Sequence, residues 1–591
     1  MGHNEVVKVL LGYGAAVNYS GPNGDTALII ASGKGHSDVV KTLLKSGAIM
    51  DFVDEKGDNA LIVASRNGYE AVVKLLIRNG ASVDVVNNEG YTALIAASME
   101  NHSKVVAVLL KRKASVDKKR EKGETALLIA SERGNCEIVK LLLQNGGSVD
   151  LADENDTTAL IRAAGNGYTN VVKLLVTWGA STAAADHLGM TALTRASEEG
   201  HVDVVEALLV RGAEVNTRGR KGVTALLLAS EGGHIQVVEL LLKHGAAIDS
   251  VDEVGDTPLI AAANNGNDVV VRVLLDSGAS IDLANKDGWT ALMSASAKKF
   301  THTAKIISSR FQHGGDIDKQ RLNGATALFI ASENGQHKVA SQLLKYGASL
   351  DIADKVGNTP LIVAASNGHV ETVKLLAKRG APLDVLNNYG WSALMYAANG
   401  NYDVVMATLL ENGANIDKQG QNGSTPLLIA SAKGAIDAVQ VLVFRGAWID
   451  CASADGSTPL LQAAEHGHEA VVRFLVDNGA SVDLTDKDGW SALTKASENG
   501  YTDIVAMLLE KGAAIEEQQP NPFDDLIVAC ANGRLDVVRL LIASGAAINS
   551  EDDNGNTPLL VAAAKGHADI VAFLLEVACQ LKQQIAKAGR R

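Results

Sequence analysis

The chain has 591 residues, 47% hydrophobic but only 4% aromatic, so any core must be assembled from Ala, Leu, Val and Ile. Its formal net charge of −14 argues against a general binder of nucleic acid or of an anionic membrane. No apolar run approaches the roughly 18–20 residues of a membrane span, and the opening MGHNEVVKVL lacks the basic and apolar regions of a signal peptide.

Residues 1–22 read as the trailing half of a unit that then recurs to the end of the chain. One glycine marks the period, at Gly24, Gly57, Gly90 and Gly123 and again at Gly189, Gly222, Gly255 and Gly288, in steps of 33 residues broken once by Asp156. Thr-Ala-Leu or Thr-Pro-Leu follows, as in Thr257-Pro258-Leu259. A threonine there suits a helix N-cap, because its hydroxyl accepts a bond from a free backbone N–H, and proline suits the first helical position. A short helix is predicted, ending near a second glycine such as Gly68, Gly134 or Gly368.

A second helix is predicted over 70–81, where Val72, Val73, Leu75 and Leu76 form an apolar stripe and Gly80 stands at the left-handed C-cap. Residues 82–90 mix β-branched side chains with Asn, Asp and Gly, which predicts a tight hairpin finger between units. His or Tyr often follows the second glycine, at His36, Tyr69, His201, His234, His369, His468, Tyr501 and His567. Set once per unit, these rings are too far apart to share an ion and are expected to bond within the inter-helix turn. His466 and His468 stand closer, but no third ligand accompanies them.

A longer period lies inside the short one, for every third unit reads alike. TALIIAS at 26–32 returns as TALLIAS (125–131), TALLLAS (224–230), TALFIAS (326–332) and TPLLIAS (425–431). Fingers entering this first phase are basic, with Lys119, Arg120 and Lys122, then Arg218, Arg220 and Lys221, then Lys319 and Arg321. Fingers entering the second are acidic, as at 152–156, 252–255 and 551–555. The third phase places Tyr91, Met190, Trp289, Trp391 and Trp490 just after the finger glycine. KDGWTALMSAS at 286–296 and KDGWSALTKAS at 487–497 are copies of this phase, so the chain grew by duplicating blocks of three units.

The pattern breaks in a few places. The unit at about 286–320 lacks its middle glycine and runs three residues long, which predicts a lengthened second helix before Gly314-Gly315. The finger at about 516–526 loses its glycine and threonine to Pro522 and Asp524. From 568 to 591 a continued helix replaces the closing Gly-Ala, with Val577, Leu581 and Ile585 spaced to form a cap or tail.

The pattern G-x-T-P-L, then G-H, then V-V-x-L-L, then G-A-x-V-N/D resembles the ankyrin repeat, over almost the whole chain and about eighteen units, as one continuous array across 1–591. The family's His after Leu is replaced throughout by apolar residues such as Ile29, Ile62, Leu128 and Ile260. The resemblance implies an all-α repeat solenoid, helix-turn-helix units joined by β-hairpin fingers in a curved superhelical array. It also implies a concave face, lined by finger tips and first helices, that binds other proteins.

On that face the third-phase residues Tyr91, Met190, Trp289, Trp391 and Trp490 become candidate anchors, since tryptophan is the commonest interface hot spot. The basic fingers would steer the partner. A tryptophan at a finger base serves packing equally well.

No phosphate loop, nucleophile elbow or kinase motif occurs, and no catalytic residue, cofactor, metal or small-molecule substrate is expected. Cys136, Cys451, Cys530 and Cys579 have no paired spacing, which predicts reduced thiols in a cytoplasmic, or else nuclear, protein. The leading expectation is a non-catalytic interaction scaffold. Its alternatives are the regulatory array of a larger protein such as a kinase or channel, and an elastic tether.

Overall fold

A computed structural model describes residues 2–515 and 524–588, the last four by backbone alone. The chain divides into two compact units, Met1–Ala295 and Ser296–Arg591. Each is a stack of helix pairs, and 35 α-helices occur among the described residues.

One repeat illustrates how the sequence makes the unit. Thr125 holds an extended backbone and its hydroxyl accepts from Leu128 N at 3.3 Å, which starts the short helix Ala126–Glu132. Pro258, Pro360, Pro426, Pro459 and Pro558 occupy the first position of their short helices, where no N–H is missed. The chain then turns back into the longer helix Cys136–Gln144, which buries Ile138, Val139, Leu142 and Leu143. Short helices pack on short helices and longer on longer. Ala126–Glu132 lies between Ala93–Met99 and Ala159–Gly165, and Cys136–Gln144 lies between Ser103–Lys111 and Thr169–Thr177. The core is therefore a line of Ala, Leu, Val and Ile, as the composition demands.

The inter-helix turn explains its glycine and its ring. Gly68 has φ +77°, and a Cβ there would stand 2.5 Å from Nδ1 of His102 in the next repeat. That imidazole donates from Nε2 to the carbonyl of Arg66 at 3.0 Å. His201, His234, His369, His468 and His567 repeat the bond 36 residues back. The periodic histidines are structural stitches.

The fingers are closed by side chains more than by strand pairing. Asp54 Oδ1 accepts from the N–H groups of Lys56 and Asp58, and Asn87, Asp153, Asp186, Asp252 and Asp354 repeat the arrangement. Only isolated bridges such as Val53 with Asn59 form, and no strand occurs among the described residues. Successive fingers are joined by a backbone bond from later to earlier, as in Glu55 N to Asn23 O, Asn88 N to Lys56 O, Glu154 N to Lys122 O and Glu253 N to Lys221 O. A second seam runs through the first acid of many fingers. Asp84, Asp117, Asp150, Asp249, Asp384 and Asp450 each accept from a backbone N–H 31 residues on.

In the irregular unit the longer helix, Thr301–Arg310, gains one residue over its neighbours, and the 3-10 turn Phe311–His313 absorbs the rest. Its buried face is Thr303, Ala304, Ile307 and Ser308, where Cys136–Gln144 has Ile138, Val139, Leu142 and Leu143. Lys299 takes the left-handed turn position, φ 69°, that glycine fills in most repeats. A side chain with a Cβ in this region costs about 1 kcal/mol. Lys299→Gly is therefore expected to raise stability by about 0.5–1 kcal/mol, read as a shift of the urea midpoint at unchanged slope.

At the start, helix Asn4–Gly12 buries no residue. At the end, helix Ala568–Ala588 buries Ile570 and Leu574, while Leu581 is 41% exposed and the Ile585 side chain lies outside the described residues. Most of the irregular finger, residues 516–523, also lies outside them, but Asp524 takes over the missing threonine's task by accepting from Ile527 N at 2.9 Å. All four cysteines are free. Burial pushes the Cys451 thiol up to about 11 and the Cys530 thiol up to about 12.

Candidate partner-binding surface

The third-phase residues sit at the finger base, each held by its own backbone. Tyr91, Met190, Trp289, Trp391 and Trp490 donate their N–H to Asn87, Asp186, Asn285, Asn387 and Asp486 at 2.8–3.0 Å. The side chains differ in cover. Tyr91 and Met190 are buried, whereas the three tryptophans are half-buried. Tyr91 lies under the Arg120 guanidinium at 4.8 Å, Trp391 packs on Tyr396 with ring centroids 4.9 Å apart, and Lys495 Nζ stands 4.7 Å over Trp490. Packing thus occupies part of every anchor, and the tryptophans keep part of their surface open.

The basic finger residues have local tasks as well. Lys119 donates to Ala152 O at 2.8 Å, and the Arg218 guanidinium donates to Val251 O, each reaching the next finger. Arg120 pairs with Glu124 besides covering Tyr91. Lys122 and Lys221 adopt left-handed backbone, φ 65° and 63°, inside short 3-10 turns, and their side chains are exposed. Arg220 is exposed beside Lys221, while Lys319 and Arg321 are half-buried in their finger.

Sequence reading missed the most concentrated chemistry on this surface. Arg162, the fourth residue of helix Ala159–Gly165, reaches Asp153 Oδ2 and Glu124 Oε1, both at 2.7 Å, and also pairs with Glu132. Its side chain is 14% exposed and that of Asp153 4%. Burial alone would push Asp153 up, but the Arg162 guanidinium and the N–H groups of Thr157 and Asn155 hold it below the usual carboxylate range. Burial likewise opposes the Arg162 charge, and Asp153, Glu124 and Glu132 more than offset it. Arg195 with Asp186 and Glu198 makes a smaller version in the next repeat. Comparing the fourth short-helix residue across repeats would have exposed the signal, since most repeats place Ile, Val, Leu or Ala there.

In the second unit the corresponding positions are differently filled. Ser424, Ala432, Ser453 and Gln462 stand where the first unit has Glu124, Glu132, Asp153 and Arg162. The result is an open groove of about 540 Å³ with Leu428 and Ile429 among its lining and Asp455 at its edge. Hydrogen bonds from the Ser453 hydroxyl and from the N–H and hydroxyl of Ser457 outweigh burial and hold Asp455 below the usual carboxylate range.

Among the described residues, no helix is long and apolar enough to cross a membrane, and no three His, Cys, Asp or Glu side chains are grouped to hold a metal ion. The family model described as ankyrin repeats (3 copies) matches the chain in overlapping stretches, 1–87, 47–122, 72–153, 127–219, 193–285, 226–320, 260–354, 308–387, 346–420, 379–453, 427–521 and 518–585. No curated protein matches the chain.

Proposed function

Because the chain belongs to the ankyrin repeat family, whose repeats are generally protein–protein interaction modules, we propose that it is a non-catalytic scaffold binding partner proteins along the finger-side face. One observation carries this reading: Trp289, Trp391 and Trp490 recur at one position, each with its backbone N–H held by the finger and its side chain only half-buried. A large ring on only two side-chain torsions loses little freedom when a partner covers it, which is what makes a binding anchor. The exposed Lys122, Arg218, Arg220 and Lys221 would favour an acidic approach in the first unit. The four free cysteines favour a cytoplasmic or nuclear setting.

The test is affinity capture from native lysate by the full chain and by a variant with Trp289, Trp391 and Trp490 all changed to Ala, matched for helical content by circular dichroism. Retention of a specific partner is expected to fall at least tenfold in the variant, since hot-spot truncations cost about 2 kcal/mol or more. Equal capture by both proteins assigns the tryptophans to packing and moves the binding site elsewhere.

A further inference from the structure

We propose that the groove between helices Pro426–Lys433 and Pro459–Glu465 receives an arginine side chain from a bound partner protein, with Asp455 as its counter-charge; this rests on the protein-binding reading above. The argument comes from the chain's own duplication. Residues 122–162 and 422–462 occupy the same register, finger for finger and helix for helix. In the earlier copy the space over the short helices is filled from within, by Arg162 clamped among Glu124, Glu132 and Asp153. In the later copy Gln462 replaces the arginine, and the three clamping acids are shortened to Ser424, Ala432 and Ser453.

Every one of those changes removes bulk, and together they leave a groove of about 540 Å³, within the roughly 300–1,000 Å³ of ordinary ligand sites. One change runs the other way. Asp455 stands where the earlier copy has Asn155, so the emptied site gains a carboxylate. Asp455 is exposed, is kept ionised by Ser453 and Ser457, and lines the groove beside the hydroxyl of Ser453 and the amide of Gln462. Leu428 and Ile429 supply an apolar floor for the methylene stem of a long cation. A planar guanidinium suits a carboxylate flanked by neutral acceptors better than an ammonium does, because its donors form a fixed fork.

The experiment uses the full chain with labelled Leu and Ile methyl groups, titrated with the blocked peptide acetyl-Gly-Arg-Gly-amide. Saturable shifts are expected at Leu428 and Ile429, with a dissociation constant of order 1 mM, typical of a contact worth about 4 kcal/mol. Leu128 and Ile129, beneath Arg162, should not move. The same peptide carrying norleucine for arginine should give no saturable shift, and Asp455→Asn should weaken the arginine response at least tenfold. A second variant, Gln462→Arg with Ser453→Asp, should plug the groove from within, shifting the Leu428 and Ile429 methyls without peptide and removing the titration.

The proposal is overturned if the arginine peptide gives no saturable shift to 20-fold beyond that constant, if the norleucine peptide binds as well, or if Asp455→Asn responds unchanged. Equal binding of the lysine analogue overturns the guanidinium assignment. A silent groove with a captured partner refutes only this proposal. A responsive groove with no partner captured from lysate refutes only the scaffold reading.

Discussion

Changing Leu142 to Ala is expected to lower local stability around its repeat by about 2–5 kcal/mol, the cost of emptying a fully packed leucine site. Leu142 is 0% exposed and sits in Cys136–Gln144, which packs on the short helix of its own repeat and on the longer helices before and after it. A stack held by nearest-neighbour interfaces feels such a loss in one repeat and its two junctions. Hydrogen exchange should therefore accelerate about 30- to 4,000-fold across residues 126–144, at roughly tenfold per 1.4 kcal/mol. Peptides from 427–480, in the other unit, should exchange as before. Uniform acceleration across 2–295 would instead show that the first unit opens as one body.

The second large effect is electrostatic. Arg162→Ala takes the guanidinium from Asp153 and Glu124, with side chains 4% and 11% exposed, and is expected to cost about 2–4 kcal/mol at pH 7, near the lower end for breaking a buried ion pair because Glu124 keeps Arg120 and Asp153 keeps the N–H groups of Asn155 and Thr157. The pH dependence has a definite sign. In the native protein the Asp153 pKa lies below its unfolded value, so its contribution is fully present above that unfolded value, near 3.8. It is lost as pH falls through the lower, folded value.

In the variant the guanidinium's downward pull is gone while burial remains, so the same group takes up its proton at higher pH than in the parent protein. The stability gap between the two proteins, read from urea midpoints, should be smaller at pH 4 than at pH 7. A gap that does not depend on pH would assign the loss to packing of the arginine stem. Adding Glu124→Ser, Glu132→Ala and Asp153→Ser to Arg162→Gln copies the later groove and should recover most of the loss, because removing a whole charged network is close to neutral.

What could be read from the sequence was whatever the chain writes locally and repeats. Thr125 and its equivalents announce the caps because capping is decided within three residues. The stripe of Val72, Val73 and Leu76 announces the longer helix because burial follows the helical period. The turn histidines were expected to bond within their own turn; His102, His201, His234, His369, His468 and His567 instead each bond a carbonyl of the preceding repeat, 36 residues back. The longer helix of the irregular unit was anticipated, although it extends by a single residue and a 3-10 turn takes up the remainder.

Contacts between repeats were not legible. Lys119 and Arg218 read as charges offered to a partner, yet each also bonds a carbonyl 33 residues on, a distance at which no local pattern speaks. Arg162 needs acids from three separate stretches of chain before it means anything. The expected hairpins proved to be turns closed by Asp and Asn side chains, because one carboxylate or amide satisfies both N–H groups that a strand ladder would otherwise pair.

The backbone bonds that join finger to finger bear on how such a chain changes length over generations. Glu154 N bonds Lys122 O just as Glu253 N bonds Lys221 O, with the same residue types at both joints. Excising residues 124–222 would bring Lys122 to Glu253 and recreate an identical seam. Unequal exchange between gene copies, misaligned by one three-unit block, therefore leaves no scar for selection to remove. The number of blocks is free to drift, and it is the fillings between them, Arg162 in one copy and Gln462 in another, that give each copy its own history.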